Sequence, residues 1–122
     1  MSYSYTYEPL ASEIAFDNKY TSQAADYIWN IVQSCKTING WNIIFIGTGI
    51  NTAPELAILN KLKSNDIKFS STVCDYGYND AMIEKTKEIF NQYSTNVIQQ
   101  LPDPNTFDIS NNFGFIVLTF TR

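Results

Sequence analysis

The chain has 122 residues, 44% apolar, 16% charged and 15% aromatic, with a net charge of −4 from 12 acidic and 8 basic residues. That is the size of one globular domain of about 100–150 residues. It is too apolar for a disordered chain, and no uncharged apolar run approaches the ~20 residues that span a bilayer. Histidine is absent, which excludes a histidine general base, a Ser-His-Asp triad, a Cys-His pair and any histidine-ligated metal centre.

Residues 2–7 alternate serine or threonine with Tyr3, Tyr5 and Tyr7. This period of two predicts a strand with one aromatic face, at a sheet edge or paired with another subunit. Pro9 ends it. The segment shows no basic stretch followed by an apolar one, so no secretory signal is expected and the default location is cytoplasmic. A short helix is expected around Ala11 to Phe16. A second helix, of about four turns, is capped by Thr21 or Ser22 and carries Ala24, Ala25, Ile28, Ile31, Val32 and Cys35 on one face. Asn39-Gly40 closes it.

Trp41 to Ile46 predicts a strand covered on both faces, because Ile43 to Ile46 are consecutive and apolar. It runs into Gly47-Thr48-Gly49. Thr52-Ala53-Pro54-Glu55 then fits a capping box with proline in the first turn, opening a helix with Leu56, Leu59 and Leu62 on its apolar face and its end near Ser64. Ile67, Phe69, Ser71 and Val73 share one face of a half-buried strand. After it comes the loop Asp75-Tyr76-Gly77-Tyr78-Asn79-Asp80, whose last residues cap a third amphipathic helix through Met82, Ile83, Thr86, Ile89, Phe90 and Tyr93. A short strand is expected around Asn96 to Gln99, a rigid loop at Leu101-Pro102-Asp103-Pro104-Asn105, and a final strand from Phe113 to Phe120.

Strands alternate with helices, so the expectation is a single α/β domain over residues 1–122, with a partly parallel mixed sheet and about three flanking helices. The lysines are scattered and the one arginine is Arg122. Clustered cations for a phosphate backbone are missing, which argues against nucleic acid and against an anionic membrane surface. Cys35 and Cys74 are too few for a four-cysteine zinc site and do not form a close pair. They read as small buried hydrophobes, and no metal site is expected.

One stretch carries a physical mechanism. A buried strand runs into Gly47-Thr48-Gly49 and then a helix start at Asn51-Thr52, where free N–H groups and the helix dipole meet a ligand edge. Asp75, at the end of the next strand, stands where an acid accepts bonds from ribose hydroxyls in nucleotide-binding α/β folds. Over roughly residues 41–120 the chain resembles the N-terminal half of a class I S-adenosylmethionine-dependent methyltransferase. Gly47-Thr48-Gly49 is similar to that family's glycine-rich motif, Asp75 to its ribose-binding acid, and Asn79 to Lys85 to the helix start that follows. Phe107-Asp108 followed by Phe113 to Phe120 is similar to the approach to its fourth strand. Phe45 stands where the family usually has an acid, and Asn51 where a third glycine is common. The resemblance implies a Rossmann-like fold and S-adenosylmethionine seated by Gly47, Thr48, Gly49, Asn51, Thr52 and Asp75.

Beside this stands the reading from the residues alone. It is a small non-catalytic binding module with no cofactor, which contacts a protein partner or small ligand, with Tyr76 and Tyr78 as an exposed aromatic contact loop. Homo-oligomers through an open strand edge are a further expectation.

Overall fold

The computed structural model describes residues 11–103, 105 and 112–119. The alternating tyrosine segment at residues 2–7 lies outside the described residues, as do Phe107 and Asp108. Helix α1 spans Ala11–Ser34, strand β1 Gly40–Ile46, α2 Ala53–Ser64, β2 Phe69–Cys74 and α3 Asp80–Ile89. A single 3₁₀ turn over Asn91–Tyr93 leads into β3, Asn96–Ile98. The last described strand is β4, Phe113–Thr119.

The four strands are ordered β3-β2-β1-β4, and every neighbouring pair is parallel. The α/β domain expected from the alternation is therefore present, with a sheet parallel throughout. Long connections account for this, since parallel neighbours need a crossover of a dozen or more residues. The two steps β1-α2-β2 and β2-α3-β3 move the same way across the sheet. Right-handed crossovers then put α2 and α3 on one face, and α1 packs along α2.

That face holds the core. Trp41, Ile43 and Phe45 of β1, Val73 of β2, Val97 of β3 and Ile116 of β4 pack against Ala25, Ile28 and Val32 of α1 and Ile58, Leu59 and Leu62 of α2. Met82 and Ile83 of α3 add to the edge of the same cluster. Strand alternation sends Asn42, Ile44 and Ile46 to the other face. Asn42 and Ile44 are buried there too, as the unbroken apolar run predicted. Asn42 ties three strands together: its Nδ2 donates to the Gly114 carbonyl at 3.5 Å and its Oδ1 accepts from Ser70 Oγ at 3.0 Å.

Four local expectations need correction. The break between two N-terminal helices does not occur; α1 is one helix of 24 residues. No glycine or proline lies between Ala11 and Ser34 to stop it, and Thr21 and Ser22 are tolerated inside a helix at small cost. The Thr52 to Glu55 capping box is not formed. Thr52 is the N-cap residue but its side chain makes no capping bond, Asn51 Oδ1 instead accepts from Ala53 N at 3.3 Å, and Glu55 is fully buried. Strand β2 is not half-buried: Ser71, Thr72, Val73 and Cys74 are all buried, because β2 lies inside the sheet between β1 and β3. Its polar side chains find partners there, such as Ser71 Oγ with Thr95 Oγ1 at 2.8 Å. Helix α3 ends at Ile89, so Tyr93 falls in the separate 3₁₀ turn instead of on the helix, while β4 meets the core through Ile116, buried between exposed Phe115 and Val117.

Helix α3 follows expectation at its start, where Asn79 Oδ1 accepts from Met82 N at 2.9 Å. Cys35 and Cys74 are both free thiols, the first partly buried and the second buried. No described helix is long and apolar enough to cross a membrane.

Gly114 is where β4 meets the core most closely. A Cβ built on it would lie 2.6 Å from Cζ3 and 2.8 Å from Cε3 of the buried Trp41 ring. Gly114→Ala is expected to cost about 1–3 kcal/mol through forced movement of that ring, read as a lower urea midpoint with an unchanged slope.

Candidate functional site

In the order β3-β2-β1-β4 the chain leaves β1 towards β2, and β4 lies on the other side of β1. The carboxyl ends of β1 and β4 therefore flank a topological switch point, where open α/β sheets form their ligand crevice. The segment directly off β1 at that point is Gly47-Thr48-Gly49. Gly47 has a φ of 78° and Gly49 a φ of 60°, in the left-handed region that a side chain disfavours. Both glycines are thus required by backbone conformation. Gly47 N donates to the Cys74 carbonyl at 2.8 Å, which continues the β1-β2 pairing for one more step.

Asp75 then takes hold of the loop. One carboxylate oxygen, Oδ2, accepts from Gly49 N at 2.7 Å. The other, Oδ1, accepts from Gly77 N at 2.8 Å. Its own N–H donates to the Ile98 carbonyl at 3.1 Å and its carbonyl accepts from Tyr78 N at 3.1 Å. One residue thereby joins the ends of β1, β2 and β3. Tyr78 completes the frame: its hydroxyl donates to the Gly49 carbonyl at 2.6 Å, and Gln99 Nε2 donates to the Tyr78 carbonyl. Gly49 is thus gripped through its N–H by Asp75 and through its carbonyl by Tyr78.

Tyr78 is only 3% exposed. Burial pushes its phenol well above the usual tyrosine value; a side-chain hydrogen bond with Thr86 opposes this, and the charges of Asp75 and Glu55 add to the rise. The Cys74 thiol is also pushed up, first by burial and then by the Asp75 charge. Both groups stay protonated at neutral pH. Thr48, between the two glycines, is 1% exposed, and its hydroxyl has no hydrogen-bond partner among the described residues.

The structure therefore brings Gly47, Thr48, Gly49 and Asp75 together, with Asn51 and Thr52 next to them at the start of α2. It separates the two tyrosines. Tyr76 is 68% exposed at the tip of the turn, as expected of a contact residue, but Tyr78 is not an exposed aromatic. The Asp75-Gly77 bond reverses the chain and turns Tyr78 inward, where its ring joins the core and its hydroxyl meets the Gly49 carbonyl. Sequence reasoning missed this latch because Tyr-Gly-Tyr reads as a surface loop. The pairing with Gly49, 29 residues away, has no local signal. Among the described residues no three Cys, Asp or Glu side chains converge as metal ligands.

The electrostatics of this frame are specific. Both glycine N–H groups are already engaged, and the Asp75 carboxylate occupies the place where a phosphate would be cradled. A second anion at the loop would meet like charge at short range. Each carboxylate oxygen has accepted one bond from the protein and retains a further acceptor site, so ligand hydroxyls or a cation suit it. In comparisons with protein families, curated proteins and solved structures, nothing matches the chain.

Asp75→Asn replaces one acceptor by a donor facing an N–H group. It is expected to destabilise the fold by about 1–3 kcal/mol, read by urea unfolding, with loop amides exchanging faster in hydrogen-exchange measurements. The raised Tyr78 pKa fixes a sign. Its folded value exceeds its unfolded one, so its contribution is complete below the unfolded pKa of about 10 and falls away as pH rises above it. Tyr78→Phe is expected to lower stability at neutral pH and to lose part of the alkaline decline in thermal midpoint above about pH 10.

Proposed function

We propose that this chain is a small non-catalytic binding module whose ligand seat is the crevice at the carboxyl ends of β1 and β4. The observation that carries the reading is the grip of Asp75 and Tyr78 on Gly49 at the topological switch point. A preformed loop of this kind holds a ligand edge with little reorganisation. The ligand class is a neutral or cationic molecule bearing hydroxyls, such as a nucleoside, rather than a phosphorylated one, because a carboxylate already sits in the loop. The absence of histidine, together with the raised Cys74 thiol and Tyr78 phenol, supports binding over catalysis, since neither group is poised as a nucleophile or base. Exposed Tyr76, in the turn after β2, supplies a protein-contact residue.

A methyltransferase-like reading rests on one further point. Asp75 follows β2 and faces the glycine loop after β1, as the acid does in the S-adenosylmethionine-binding family that the chain resembles. On this reading S-adenosylmethionine, a sulfonium cation, is the ligand.

Native mass spectrometry and thermal unfolding, with and without S-adenosylhomocysteine, test both forms. A ligand that binds only the folded chain adds about 2.7 kcal/mol of stability at a hundredfold excess over Kd. A stoichiometric adduct with a raised melting temperature, lost in Asp75→Asn and not reproduced by ATP, supports the nucleoside seat. An unchanged spectrum and melting temperature with S-adenosylhomocysteine, adenosine and ATP alike removes it and leaves protein contact through Tyr76 to be tested.

A further inference from the structure

We infer that the cavity at the amino ends of β1 and β2 is a second binding site, which takes a small amphipathic anion with an apolar body and a carboxylate head. The cavity holds about 300 Å³, at the lower end of the ~300–1,000 Å³ range of small-molecule pockets. It lies between the chain leaving α1 and the chain entering β2, at the opposite end of the sheet from Asp75. One backbone bond joins its two walls, from Trp41 N to the Lys68 carbonyl at 3.0 Å.

The lining divides by chemistry. Val32 and Trp41 are buried and Cys35, Ile38 and Ile67 half-buried, so the inner part offers carbon and sulfur surface to an apolar body. Lys36, Asp66 and Lys68 line the same cavity and are exposed. Among the described residues neither lysine forms an ion pair; the Lys68 ammonium lies 5.2 Å from the centre of the Phe113 ring. The last turns of α1 and α2 end beside the cavity, and free carbonyls there would repel an anion. They are engaged instead. The Val32 carbonyl accepts from Cys35 N at 3.2 Å, that of Leu62 from Ile67 N at 3.0 Å and that of Lys63 from Asp66 N at 3.2 Å. Two ammonium groups against one carboxylate leave the rim net positive, in a chain whose net charge is −4. An apolar floor under a cationic rim selects a ligand that buries its hydrocarbon and keeps its carboxylate at the mouth.

Octanoate titrated into the isotope-labelled full chain, followed by amide NMR, tests this. The expected result is saturable one-to-one binding in which the amides of Cys35, Ile38, Trp41 and Ile67 move most, while those of Gly49 and Asp75 stay in place. Octanol has the same body without the charge and is expected to bind about fivefold more weakly, as two exposed ion-pair contacts are lost. The same loss is expected for octanoate on the chain carrying both Lys36→Gln and Lys68→Gln, two exposed positions, with the thermal midpoint confirming that this variant is folded. No amide movement with millimolar octanoate overturns the proposal, as does movement centred on other residues. Octanol binding to the wild-type chain as tightly as octanoate also overturns it, whatever the fate of the double variant. So does a folded double variant that binds octanoate as the wild type does.

Discussion

The carboxylate of Asp75 is the constraint on which the upper rim of this domain depends. A parallel sheet ends its strands without hairpins, so the chain leaving each strand must be held by something other than the ladder. Here one side chain does it, with Oδ2 on Gly49 N, Oδ1 on Gly77 N, and its backbone bonded to Ile98 and Tyr78. Charge-assisted bonds of this kind are shorter and stronger than neutral ones. The loop after β1, the turn after β2 and the end of β3 are held as one piece.

In the proposed function, that arrangement also sets what the crevice accepts. In a phosphate-binding loop the glycine amides point at the ligand; in this chain Asp75 supplies the negative charge they attract. The loop is held in place by these bonds, and in the proposed function its discrimination is against anions. Tyr78 adds rigidity from the other side. Its hydroxyl holds the Gly49 carbonyl while its ring sits among the core side chains, so movement of the loop would disturb the packing of the domain.

The sheet below the rim shows a comparable coupling of polar and apolar groups. Asn42 lies at the centre of the sheet, almost without exposure. A buried amide costs free energy unless its hydrogen bonds are made, and those to Gly114 and from Ser70 are made only when β4, β1 and β2 lie in register. A slip of one residue would turn Asn42 into the helix-covered core. The asparagine therefore opposes misregistered pairing in a strand whose other inner residues are apolar and would tolerate a slip.

The amino-acid sequence by itself determined the elements whose causes are local. The apolar run at Ile43 to Ile46 specified a doubly covered strand, helical spacing specified α2 and α3, Asn79 specified the start of α3, and the glycines marked the turn after β1. Tertiary structure alone decided the rest. Helix α1 runs through Thr21 and Ser22 without using either as a cap. Glu55 went to the interior, where it meets groups remote in sequence, instead of closing a capping box. The burial of β2 followed from its place between two strands, which no period within the segment encodes. The largest change of role was that of Tyr78, from an exposed contact residue to the latch of the glycine loop. Asp75, by contrast, was legible as a candidate from its position after a strand, but its bond to Gly49 was not. Both interactions join residues 26 to 29 positions apart, and such contacts exist only once the crossover through α2 has brought the two strand ends together.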